Sequence, residues 1–184
     1  MNFSDVTVAF EGDSDTFSEL TTAMRSGAMA GILVIFLILY LQFYSIKRSL
    51  IILLTVPFAI IGSAIGLNLF NENLSLFVIL GIISLIGVVV NNAIVLVDYM
   101  NSELARGLTP KEAAATAVDK RFRPIILSTT TTILGLVPLA FAGNILFQGM
   151  AIAFMFGLAT SLFFTLIVIP VVYSMVIKDL PIKE

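Results

Sequence analysis

Charge is absent from four long stretches of this chain. Residues 26–46, 49–71, 73–97 and 124–177 contain no Asp, Glu, Lys or Arg. A helix needs roughly 20 apolar residues to cross a bilayer. The first three stretches therefore read as one span each. The fourth is too long for one span and right for two, with its break at the turn-like patch Gly143-Asn144-Ile145-Leu146-Phe147-Gln148-Gly149. The pattern predicts five transmembrane helices, over 26–46, 50–70, 74–97, 124–142 and 150–176. They form a bundle from 26 to 178, followed by a tail over 179–184.

The polar segments between the spans carry weaker patterns. Val6-Thr7-Val8-Ala9-Phe10 alternates like a strand. Asp15 or Thr16 can cap a short helix that runs to Leu20. One strand and one short helix bury no core by themselves. Residues 1–25 are thus expected to be the end of a larger external α/β domain, with a disordered tail as the plainer alternative. No signal peptide is expected, because Met1 to Arg25 is polar and acidic. Between the third and fourth spans, Thr109-Pro110-Lys111-Glu112 has the form of a capping box with proline at the first helical position. A cytoplasmic helix is predicted over 110–120.

Composition makes the membrane reading firm. Of 184 residues, 59% are hydrophobic and 12% charged, where an average soluble domain has about 25% charged residues. The fold class is an all-α membrane protein. With no cysteine and no histidine, disulfides, thiol catalysis and most transition-metal sites drop out. No nucleophile with a base and no metal set is present, so neither an enzyme nor a cofactor is expected. The basic residues are too few for a nucleic-acid surface.

The basic residues also set the orientation. With an external N-terminus, Lys47, Arg48, Arg106, Lys111, Lys120, Arg121, Arg123, Lys178 and Lys183 lie inside, and only Arg25 outside. Positive charge concentrates on the cytoplasmic side. The expected topology is multi-pass, N-terminus out and C-terminus in.

Within the spans the polar residues are few. Asn91, Val95 and Asp98 share one helical face, and Asn92, 100° round, can face a neighbouring helix. Ser128-Thr129-Thr130-Thr131-Thr132 places five hydroxyls in a row, and Arg121 lies seven residues before Ser128. Such groups serve as packing glue between helices or mark ion and proton paths. No carboxylate lies inside a span. A proton path through this chain needs a carboxylate from elsewhere.

Gly87-Val88-Val89-Val90-Asn91-Asn92-Ala93-Ile94-Val95-Leu96-Val97-Asp98-Tyr99, Gly107-Leu108-Thr109-Pro110-Lys111-Glu112-Ala113, Arg121-Phe122-Arg123-Pro124-Ile125-Ile126 and Gly135-Leu136-Val137-Pro138-Leu139 follow one another in this order. The set resembles the resistance–nodulation–division (RND) efflux transporters, in their hydrophobe/amphiphile branch. The resemblance covers nearly the whole chain and makes its five spans the eighth to twelfth of the family's twelve. It implies a proton-driven exporter of amphipathic compounds in the cytoplasmic (inner) membrane, with a role in multidrug resistance. It also implies a homotrimer, a periplasmic adaptor and an outer-membrane channel as partners, and an N-terminal half that supplies a pair of aspartates. The relay positions that carry over are Arg121, Ser128 with Thr129 beside it, and Asn91. Asn91 stands where the family has lysine, and Asn92 matches the asparagine that follows it. Asn92 and Asp98 are read as a supporting polar seam. Alone, the chain is expected not to pump. The alternative is a non-transporting membrane scaffold or regulatory subunit derived from an RND bundle.

Overall fold

The computed structural model describes residues 11–177, with side chains from Thr22 onward except that of Ile145. Among the described residues there are six helices: α1 (Glu11–Phe43), α2 (Ile46–Leu53), α3 (Thr55–Leu69), α4 (Leu76–Ala105), α5 (Pro110–Ala140) and α6 (Ile145–Val176). Five segments of the described residues are long and apolar enough to cross a membrane, with α2 and α3 together making one of them. No strand occurs among the described residues. The strand suggested for 6–10 and the tail 179–184 lie outside them. The chain divides into two compact units, the first ending at Ile35 and the second beginning at Phe36.

The described part of the first unit is helix throughout. The short helix expected from Asp15 is here the opening of α1, which starts at Glu11 and continues into the apolar span. Neither proline nor a left-handed residue interrupts it. Met29, Leu33 and Val34 are exposed, and a Cβ added at Gly27 or Gly31 would meet nothing within 4 Å. An apolar helix with so little protein cover is suited to lipid or to another polypeptide.

In the second unit, α6 packs against α3, α4 and α5. Ala59, Leu85, Val89 and Leu158 form one buried cluster; Leu67, Val78 and Ala153 form another; Ala140, Ala151 and Ile152 form a third. Small residues let the backbones approach. A Cβ at Gly62 would lie 2.5 Å from Thr160 Oγ1, and one at Gly66 2.6 Å from the Phe156 side chain. Gly157 is tighter still, because a Cβ there would run into the Leu85 side chain and lie 3.0 Å from the Ala59 carbonyl. Ser63 fixes the register by donating to the Ala153 carbonyl across the α3–α6 contact at 2.8 Å. Phe58 and Phe164 stack at a centroid distance of 4.2 Å.

Proline acts unevenly. The span expected over 50–70 is broken at Leu54, between α2 and α3. Pro57 has no N–H to offer the Leu53 carbonyl four residues back. Leu54 keeps right-handed helical angles, so the break is local. Pro124 and Pro138 leave α5 continuous, and Pro170 leaves α6 continuous. The helix expected over 110–120 and the span expected from 124 are therefore one helix. It begins with a complete capping box: the Glu112 N–H donates to Thr109 Oγ1 at 3.3 Å, and the Thr109 N–H to Glu112 Oε2 at 3.0 Å. Likewise α4 runs eight residues beyond the expected end of its span at Val97. A helix outside the bilayer no longer needs an apolar circumference, so hydropathy marks the span and not the helix.

Candidate functional site

The polar residues of α4 and α5 sort into two sets by the direction in which they point. Asn92 and Tyr99 lie seven residues apart on α4, two helical turns, and face α5. Asn92 Nδ2 donates to Thr129 Oγ1 at 3.4 Å, and Thr129 is buried. The Arg121 guanidinium lies over the Tyr99 ring, 4.8 Å from its centroid. Arg121 Nε is buried and has no hydrogen-bond partner.

The other set points away from the bundle. Asn91 and Asp98 are exposed, again two turns apart on α4, as is Ser128 on α5. No described residue hydrogen-bonds to their side chains. Gly87 lies on the same α4 face one turn from Asn91, and Gly135 lies on α5 two turns from Ser128. A Cβ at either glycine would meet nothing within 4 Å. Ser84 completes this open stripe of small and polar positions on α4. Two further hydroxyls are satisfied locally, Thr131 donating to the Leu127 carbonyl at 2.7 Å and Thr132 to that of Ser128 at 2.9 Å.

Of the residues singled out from sequence, Asn92 and Thr129 meet directly. Asn91, Arg121 and Ser128 share no hydrogen bond with one another; two of them face outward while Arg121 rests on Tyr99. Tyr99 itself escaped the sequence reading, although its spacing of seven from Asn92 placed it on the α5 side. The reading also missed Tyr173, wholly buried on α6, whose hydroxyl donates to Asn101 Oδ1 of α4 at 2.7 Å. Among the described residues no group of His, Cys, Asp and Glu is placed to hold a metal ion.

The apolar bundle thus exposes a polar stripe on two adjacent helices, α4 and α5. A family profile described as the AcrB/AcrD/AcrF family matches residues 3–177. The chain belongs to that family. The AcrB/AcrD/AcrF proteins are RND efflux transporters, and this member is a multi-pass membrane protein of a transporter family, not of an enzyme family. It is 36% identical over 169 residues to the swarming motility protein SwrC of Bacillus subtilis (strain 168), covering 90% of this chain and 16% of that protein. It is 35% identical over 174 residues to the multidrug resistance protein MdtC of Salmonella paratyphi A, covering 92% and 17%. The crystal structure of a heavy metal efflux pump superposes with a TM-score of 0.75 at 27% identity, covering 91% of this chain and 16% of that one. The chain thus spans 16–17% of the length of the curated relatives named here.

Proposed function

We propose that this chain is the C-terminal membrane part of a proton-driven RND permease that exports amphipathic or hydrophobic compounds, and that it exports nothing without an N-terminal half. The observation that carries this reading is the exposure of Asn91 and Ser128 beside the buried Asn92–Thr129 pair. A primary amide facing hydrocarbon costs several kcal/mol unless it finds a partner. A second bundle bearing carboxylates covers that face and satisfies it. Sequence similarity to MdtC, named as a multidrug resistance protein, supports an amphipathic substrate.

In this mechanism the protons reside on carboxylates of the N-terminal half. Arg121 supplies the positive charge that favours their ionised form, and the Ser128 hydroxyl supplies a hydrogen bond. Thr129, bonded to Asn92, fixes the facing of α5 against α4. Asn91 hydrogen-bonds the carboxylates but does not neutralise them, so they hold their protons to higher pH than beside a lysine. Asp98, at the membrane boundary, extends the polar seam toward the cytoplasm. The N-terminus is external, the C-terminus cytoplasmic, and the full permease is a trimer in the inner membrane that works with an adaptor and an outer-membrane channel.

The test is export by a full-length permease carrying this chain, at matched membrane levels. Arg121→Ala is expected to abolish export, and Asn91→Leu to impair it by leaving a carboxylate without a partner. Normal export by Arg121→Ala would overturn the relay assignment, and normal export by Asn91→Leu would remove Asn91 from it.

A further inference from the structure

Arg121 is placed in an unusual way for a charge at a membrane edge. Its Nε is buried without a hydrogen-bond partner. The ion pairs present are Arg106 with Glu103 at 2.7 Å and Lys120 with Asp119 at 3.7 Å, so Arg121 has no acid partner among the described residues. Asp98, next to Tyr99 in sequence, is exposed and forms no ion pair. What holds the guanidinium is the face of Tyr99 on the neighbouring helix, 4.8 Å away. A guanidinium is planar, is weakly hydrated compared with an ammonium, and stacks on aromatic rings. The contact orients the charge while leaving its terminal nitrogens unpaired by any acid among the described residues.

We propose that Tyr99 is a positioning residue for Arg121, keeping the guanidinium at the α4–α5 seam where it meets the carboxylates of the partner half. This rests on the relay reading above. Without the ring, Arg121 would swing toward the cytoplasmic interface, as long basic side chains do. The carboxylates would then lose a positive neighbour, so their affinity for protons would rise. Export, which needs those protons released on the cytoplasmic side, would be slowed, and its pH profile would move to higher pH. Phenylalanine offers the same ring face and should substitute; leucine should not.

Two measurements test this. In NMR spectra of the full chain in lipid nanodiscs, the Arg121 side-chain protons should show an upfield ring-current shift. Tyr99→Phe should keep the shift and Tyr99→Leu should lose it; an unshifted Arg121 in the unmutated chain would overturn the placement. In the full-length permease, Tyr99→Leu should reduce coupled export roughly tenfold, the order expected from losing a partly desolvated cation–π contact, and should raise the pH profile. Tyr99→Phe should do neither. If Tyr99→Leu lowers only the amount of protein in the membrane and leaves the pH profile in place, Tyr99 is structural and the proposal fails while the relay stands. If Arg121→Ala exports normally, the relay fails and the proposal falls with it.

Discussion

Asn91 and Asn92 are joined by one peptide bond and serve different neighbours. Asn92 is tied to Thr129 within the bundle, while the Asn91 side chain is exposed and hydrogen-bonds to none of the described residues. The 100° step between consecutive helical residues was enough to foresee that the two would part. It was not enough to foresee Tyr99, because an aromatic residue near a membrane boundary is commonplace as an interfacial anchor. Its special feature is the cation it carries from another helix, a contact no local pattern encodes. Arg121, read as converging on Asn91 and Ser128, is held by that ring for the same reason. Position 91 yields a directional prediction. Asn91→Lys places a full positive charge next to the proposed carboxylates, lowers their proton affinity, and should shift the pH optimum of export downward. If Asn91 has no carboxylate partner, the added charge within the proposed span should instead destabilise the protein in the membrane and leave the pH profile of residual activity unchanged.

Among the helices, glycine separates the faces already covered from the one left open. Gly62 and Gly66 have the four-residue spacing that permits close helix contact. Gly157 has no glycine at that spacing; its need for smallness comes from Leu85 and Ala59, far away along the chain. Gly157→Ala should destabilise the chain by about 1–3 kcal/mol, the usual cost of overpacking a fitted core, read as a lowered melting temperature in detergent. Gly87→Ala has open space around it and improves helix propensity. It should leave the isolated chain unchanged or stabilise it by up to about 1 kcal/mol. With the N-terminal half present, the same substitution should weaken association of the two parts, measured by co-purification. Equal behaviour of Gly87→Ala in both settings would argue against a partner on this face. The helix starts were equally legible where their chemistry is local: the capping box at Thr109 forms as its four residues specify. The joining of 110–120 to the following span was less so, since Pro124 normally argues for a boundary.

For the whole molecule, hydropathy specified the number of membrane-spanning segments among the described residues, while the polar extension of α4 beyond its apolar stretch stayed hidden. The proposed orientation rests on the distribution of lysine and arginine. Reporter fusions at Gly107 should read cytoplasmic and fusions at Gln148 external; both on one side would sink the proposed orientation. The outward set, Ser84, Gly87, Asn91, Asp98, Ser128 and Gly135, has a further consequence for how this protein changes over generations. Substitutions at the inward pair Asn92 and Thr129 must be compensated by each other, inside one short stretch of sequence. Substitutions at Asn91 or Ser128 are free of that tie, and under the proposed assembly their compensations arise in the other half. Under that assembly, position 91 can change without disturbing the α4–α5 pair, so the tuning of the proposed permease and the folding of this bundle would be inherited as separable traits.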